Sequence, residues 1–569
     1  MTSRPGGLRA ATQTLAGAAA MITVVTVASR LVGFARSLVQ SSAVGTEGVG
    51  AAYQAANLLP NVLFEVAAGG ALAGSVVPLL AGPIVRRAHA DVSRIASALL
   101  GWTLAALVPL GALLALLAVP IAHLLWPVHP ELVDVTATFL RVFALQVPLY
   151  GVAVVLGGVL QAHKRFFWQA FSPLLSSLAV IVVFLVFARL AEGDQGDVAA
   201  LSHQAIAWLG WGTTAGVAVL AVPLVGPVLR SGVRLRPTLR FPGGEGTRAR
   251  HLAFAGIGAL VAQQLSVLAM LGAASRFGPE STFATYWFAQ QVYLLPYAVL
   301  AFPLATSSFP RLAEHVAHDR HEAFSRLLGT TTRTLLVVTG VGAAALVAAS
   351  AAVEVVFRAF ATGSVEGLGA AVAWMAPGIV GFSLILHLSR ALYTIDRQRA
   401  AVTVTVAGWA VVALGAFALP AATGVRDQTG VLTMLGLATS IGMTVAGAGL
   451  LAAVRRYAGR EALRGVARTL VVLVVATALG AGAGSVVSEA LLPADAGLLP
   501  ALGVGLLVAL LAGAVVLACF LVADRSAVTG LVRRGGAKSP VADPTDAAGT
   551  NEDPSGEGSV GSADERRAE

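Results

Sequence analysis

The chain of 569 residues has a single cysteine, Cys519. A disulfide framework and any cysteine-based metal cluster are therefore excluded. Charge is scarce as well. Asp, Glu, Lys and Arg make up 12% of the chain, against about 25% in a soluble fold. Lysine is nearly missing: only Lys164 and Lys538 stand among 38 basic residues. A soluble or disordered chain is excluded over most of this length. What is present instead is apolar surface, with 57% hydrophobic residues and a mean hydropathy of +0.80. This predicts an all-α polytopic membrane protein.

Fourteen apolar stretches can be read: 16–43, 50–80, 95–122, 131–161, 166–189, 205–229, 250–275, 281–310, 334–357, 367–394, 400–421, 430–454, 466–488 and 497–523. Most exceed the roughly 20 residues that cross a bilayer. The first carries Arg30 and Arg36 and is too long for a signal-peptide core, so it reads as an uncleaved span. Prolines inside the stretches, Pro60 and Pro377 among them, predict kinks that line cavities or hinges. Gly212/Gly216 and Gly480/Gly484 have the spacing of helix-packing faces.

Charge alternates between the loops. One set, from Arg4 and Arg9 through Arg86, Arg165, Arg230, Arg320, Arg397 and Arg460 to Lys538, holds 29 basic residues. The other set holds 4, with acidic residues such as Glu47, Glu131, Glu280 and Asp427. This split predicts both termini in the cytoplasm and an even number of spans. The net charge of +9 then reflects topology and contact with anionic membrane lipids. No nucleic-acid recognition module is visible.

The sequence also repeats weakly. Leu58-Leu59-Pro60 recurs at Leu294-Leu295-Pro296, Pro78 at Pro310, and Leu160 with Arg165 at Leu392 with Arg397. This predicts two pseudo-symmetric six-helix lobes plus two extra helices, in parallel repeat as in many transporters. The expected organisation is a cytoplasmic N-terminus (1–15), an N-lobe (16–230), a basic cytoplasmic linker (231–249) and a C-lobe (250–457). The last two spans (458–525) and a disordered cytoplasmic tail (526–569) follow.

Ionisable residues well inside spans cluster in the first lobe: Arg30, Arg36, Glu65 and Arg141. A centred arginine costs about 2.5–3.5 kcal/mol on insertion scales. Such groups face a water-filled cavity or pair with one another. Glu65 can neutralise one arginine and leaves two, and guanidinium forks match phosphate oxygens. The set therefore reads as an anion site. His123 and His129 share a loop with Trp126 and read as interfacial rather than as metal ligands. No phosphate loop, zinc-ligand helix or nucleophile-base pair is seen, so neither cofactor, metal nor enzyme activity is expected.

Ser29-Arg30-Leu31-Val32-Gly33-Phe34-Ala35-Arg36 resembles the first-span signature of the MurJ (MviN) family. Leu59-Pro60-Asn61 with Pro78 resembles its second span, and Gly157–Phe167 with Phe171-Ser172-Pro173 its fourth-to-fifth junction. The resemblance implies a flippase for lipid II, the undecaprenyl-pyrophosphate-linked peptidoglycan precursor, working by alternating access in cell-wall biogenesis and cell shape. It implies that Arg30 and Arg36 engage the pyrophosphate. Gly33, Pro60, Asn61, Gln290 and Gln291 are the expected hinge or cavity-lining positions. The chain departs from the family at Phe64 and Glu65, where an arginine pair is frequent, and at Gln290 and Gln291, where an acidic-basic pair stands. Ala269 falls near a position that is acidic in some members. Rival expectations are an exporter of another lipid-linked polysaccharide or of drugs, and a non-transporting cell-wall scaffold. In either case cell-wall synthesis or division proteins are candidate partners of the tail.

Overall fold

The computed structural model describes residues 15–66, 73–241, 257–493 and 496–528. The expected N-terminal segment up to residue 14, the linker from 242 and the tail from 529 lie outside the described residues. Every regular element among the described residues is helical. The first half has α1 (Leu15–Ala43), α2 (Val49–Phe64), α3 (Ala73–Val85), α4 (His89–Leu116), α5 (Ala118–Leu125), α6 (Val133–Phe143), α7 (Gln146–Ala162), α8 (Phe166–Leu190), α9 (His203–Ala221) and α10 (Val225–Leu229). The second half has α11 (Ile257–Phe277), α12 (Thr282–Pro296), α13 (Phe302–Ala317), α14 (His321–Phe360), α15 (Leu368–Met375), α16 (Gly378–Thr394), α17 (Gln398–Thr423) and α18 (Gln428–Tyr457). Two further helices follow, α19 (Val466–Leu491) and α20 (Leu498–Ala523).

Among the described residues 11 helices are long and apolar enough to cross a membrane, or 12 if one bent pair counts as a span. The expected count of fourteen is thus not reached. The first two stretches are helical at α1, α2 and α3 but border residues outside the described set, and they do not enter that count.

Proline sets several of the breaks, because it removes a backbone donor and crowds the preceding turn. Pro296 ends α12, and a π turn over Tyr297–Ala301 leads into α13. Pro377 stands between α15 and α16, which meet at 49°. Side chains cap two spans. Ser202 accepts the Ala205 N–H at 3.1 Å and Asp427 accepts the Gly430 N–H at 2.8 Å, satisfying donors that a helix start leaves free.

The repeat is visible in the backbone. Arg87 (φ 56) and Asp319 (φ 52) hold the same left-handed turn position, each next to a bond closing the preceding helix, Ala88 N–H to Pro83 and Arg320 N–H to His315. Lys164 (φ 58) and Asp396 (φ 57) form a second such pair, with Arg165 N–H bonded to Leu160 and Arg397 N–H to Leu392. Helix packing repeats likewise: α1 on α8 and α8 on α9 correspond to α11 on α17 and α17 on α18. The extra pair, α19 and α20, packs on the long helix α14.

Small residues let these helices approach. A Cβ on Gly212 would sit 2.5 Å from Val183 Cγ1, and one on Gly484 would sit 2.4 Å from Ala348 Cβ. Both pairs singled out by spacing are packing faces. The core shows how the halves join. One cluster contains Tyr53, Phe139 and Phe184 together with Phe288, Phe357 and Leu432, so both halves share it toward the acidic-loop end. Toward the basic-loop end each half has its own, around Val76, Ile95 and Val159 in the first and around Leu328, Leu388 and Phe520 in the second. The described start of the linker, residues 231–241, is strapped to α4. Arg234 N–H bonds Ser93 Oγ, Thr238 N–H bonds the Ser97 carbonyl, and Trp102 Nε1–H bonds the Leu239 carbonyl.

Candidate functional site

A cavity of about 420 Å³ lies between the halves. Equivalent helices of the two repeats supply its wall. From the first half come Arg36 and Gln40 of α1, Tyr53, Asn57 and Asn61 of α2 with Glu65 at its end, Tyr150 of α7, Ser176 of α8 and Thr213 of α9. From the second come Gln263 and Gln264 of α11, Tyr286, Trp287, Gln290, Tyr293 and Leu294 of α12, Phe382 of α16, Trp409 of α17 and Thr439 of α18. Tyr53 and Tyr286 stand at matching positions. Each hydroxyl faces a threonine of its own half, Thr213 of α9 at 3.3 Å and Thr439 of α18 at 3.5 Å.

Of the sequence-derived candidates, Arg36, Glu65, Asn61 and Gln290 meet in this wall. Asn61 Nδ2–H bonds the Asn57 carbonyl one turn back, at 2.6 Å. Arg36 and Glu65 are half-buried, and among the described residues neither makes a salt bridge. The neutralising Arg–Glu pair left open by the sequence is thus not formed with Arg36. Arg36 shares the wall with the Tyr53 and Tyr150 side chains instead. Arg30 lies on α1, but its side chain is outside the described set.

The structure does not bring the other candidates to the cavity. Arg141 is exposed on α6. Gln291 is half-buried outside the wall, because adjacent helix positions point about 100° apart. Pro60 is buried inside α2. Gly33 sits in an unbroken helix, and a Cβ there would meet nothing within 4 Å.

Sequence reading found Asn61 and Gln290 but missed the other amides and the aromatics. Gln40 Nε2–H donates to Gln54 Oε1 at 2.6 Å. Gln263, Gln264, Trp287 and Trp409 complete a neutral second wall. A signal existed in the repeat Gly45-x-Glu47 followed by Tyr53, which recurs as Gly278-x-Glu280 followed by Tyr286.

That repeat also marks the seal at the acidic-loop end. Glu47 Oε1 accepts the Ser364 N–H of the second half at 2.9 Å. Thr46 N–H bonds the Thr362 carbonyl at 3.0 Å, and its Oγ1 donates to the Ser364 carbonyl at 2.8 Å. Thr362 answers with bonds to the Ser41 and Ser42 carbonyls, both 2.8 Å. In the reverse direction, the Glu280 carboxyl faces the Gly48 N–H of the first half. Burial pushes the Glu280 carboxyl above the usual carboxylate range, against the pull of the Gly48 N–H and His129.

A two-repeat helical frame around a central cavity, closed at one end by reciprocal contacts, defines a multi-pass membrane transporter. The fold is similar to a solved lipid II flippase MurJ in its inward closed conformation, with a TM-score of 0.63 at 17% identity over 87% of this chain and 98% of that one. It is also similar to an inward-facing multidrug resistance MATE family transporter of the MOP superfamily, with a TM-score of 0.61 at 14% identity over 75% of this chain and 95% of that one. The lipid II flippase MurJ family profile matches residues 40–505, and the chain belongs to that family. A probable lipid II flippase MurJ of Rhizobium tropici is 26% identical over 379 residues, 65% of this chain and 68% of the relative. The lipid II flippase MurJ of Burkholderia cenocepacia is 26% identical over 401 residues, 66% of this chain and 72% of the relative.

Proposed function

We propose that the chain moves lipid II, the undecaprenyl-pyrophosphate-linked peptidoglycan precursor, from the inner to the outer leaflet of a bacterial plasma membrane by alternating access. The observation that carries this reading is Arg36, a guanidinium with no carboxylate partner among the described residues, facing a cavity that both halves build. An unpaired cation inside a membrane protein is costly unless it serves a ligand, and a planar fork suits a pyrophosphate. Arg30, six residues earlier on the same helix, is the second cation of this reading.

The rest of the wall suits what the pyrophosphate carries. Amides such as Asn57, Gln264 and Gln290, with Trp287 and Trp409, offer hydrogen bonds and flat apolar faces to a sugar or peptide head group. The loop charges support both termini in the cytoplasm. With that orientation, the Glu47 and Glu280 seal lies on the outer side. Cargo enters from the cytoplasmic leaflet, the halves rock, the seal parts, and the polyprenyl tail stays in lipid.

In a strain whose only copy carries Arg36→Ala, appearance of labelled lipid II at the outer face should fall about tenfold or more, the worth of a charged hydrogen bond. Arg36→Lys keeps the charge without the fork and should restore part of it. Translocation at the wild-type rate in Arg36→Ala, with the protein at normal level, rejects the assignment.

A further inference from the structure

The repeat-related carboxylates Glu47 and Glu280 differ in one respect. Glu280, in the turn between α11 and α12, is joined by two side chains of the first half, His129 and Glu131, from the segment before α6. We propose that His129, Glu131 and Glu280 form a divalent-cation site, of zinc-type chemistry, that staples the two halves together at the acidic-loop end. One donor atom from each residue lies within 4.8 Å of the others, and His129 Nδ1 stands 3.1 Å from Glu131 Oε1. Ligands about 2.0–2.1 Å from a tetrahedral zinc stand roughly 3.4 Å apart. The Glu280 side chain therefore has only a short way to move.

The surroundings call for a cation. The adjoining cleft of about 760 Å³ is lined by Glu131, Asp134, Asp197 and Glu280, with His203 and with no Arg or Lys. Four carboxylates thus line one cleft that has no Arg or Lys in its wall. One imidazole with two carboxylates favours zinc over magnesium or calcium, which prefer all-oxygen sets. The Glu280 carboxyl also faces the Gly48 N–H at the start of α2. A cation held here would draw that turn, the His129 segment and the α11–α12 turn together. The site concerns the state of the seal and stands independently of which cargo is carried.

The test uses the purified full chain, stripped with a chelator and titrated with zinc chloride by calorimetry, with magnesium and calcium chloride in parallel. One equivalent of zinc should bind the wild type and raise its melting temperature. His129→Ala, Glu280→Gln and Glu131→Gln should each weaken binding about tenfold or more while the helical circular dichroism stays unchanged. Glu131 is exposed, so its variant keeps the test valid if another variant folds poorly. Absence of saturable zinc binding in the wild type overturns the proposal. So does equal displacement by calcium or magnesium, the behaviour of a merely acidic surface, or unchanged zinc affinity in all three variants.

Discussion

Asp524 ends α20 with a buried carboxylate, and its side chain ties that end to α14 and α19. It accepts from Arg333 of α14 at 2.5 Å, from Thr469 of α19 at 2.6 Å and from Ser526 at 2.9 Å. Burial pushes its carboxyl up, but the three donors and the Arg333 charge outweigh that and hold it below the usual carboxylate range. A depressed carboxyl contributes stability above its unfolded pKa, about 3.9, which is lost as pH falls through the lower folded value. Asp524→Asn should therefore lower the thermal midpoint at neutral pH. Removing one partner of a buried pair costs about 3–5 kcal/mol, and Arg333, 17% exposed, should bring the cost to the lower end. In thermal melts across pH, the gap between variant and wild type should close as pH falls below the usual carboxylate range. A constant gap would mean that shape, not charge, holds this corner. Legibility at this scale followed side-chain direction. Arg36 and Glu65 were found because a charge in an apolar run is costly wherever it points. Gln290 and Gln291 were indistinguishable in sequence, and only one of them faces the cavity.

Helices approach most closely where side chains are missing. At Gly381 of α16 a Cβ would fall 1.9 Å from the Met443 carbonyl oxygen of α18, a backbone atom that cannot turn aside. Gly381→Ala should push α16 from α18 and cost about 1–3 kcal/mol, the range of overpacked cores. Gly482 of α19 is the control. It is exposed, a Cβ there meets nothing within 4 Å, and Gly482→Ala should be neutral or stabilising by up to about 1 kcal/mol through helix propensity. Melting of the two variants in the same detergent checks the pair, and equal midpoints would remove the packing argument. Eleven spans among the described residues, or twelve with the bent pair, were legible because length and hydropathy set them, and the Gly212/Gly216 and Gly480/Gly484 faces because spacing sets those. The breaks were less so. The π turn after Pro296 and the 49° bend at Pro377 depend on how neighbouring helices take up the freed backbone groups, which the proline alone does not specify.

The two-half frame was legible because its signals are global: alternating loop charge and matched segments far apart in the chain. The seal was not. The Gly-x-Glu repeat marks one partner of each contact, but the other partner is a backbone group such as the Ser364 carbonyl that Thr46 Oγ1 meets, and no side-chain pattern announces a carbonyl. Its geometry has a consequence for the whole molecule. Each half holds the other through a carboxylate and a short loop, so under the proposed alternating access the seal is either made or parted. Two-state contacts of this kind set a population. Losing the Glu47 bond to Ser364, a charged hydrogen bond worth about 1.5–3 kcal/mol, should shift the made-to-parted ratio tenfold or more toward parted. The single native cysteine makes this measurable. In a Cys519→Ser background, Thr439→Cys places a thiol in the cavity wall. A membrane-impermeant thiol reagent added from the acidic-loop side should label it slowly when Glu47 is intact, and at least about tenfold faster in Glu47→Ala. Thr46→Val, which removes only the Oγ1 bond to Ser364, should fall between the two. Equal labelling in all three backgrounds would mean that the shared apolar cluster around Tyr53 and Phe288 closes this end by itself, with the polar contacts following.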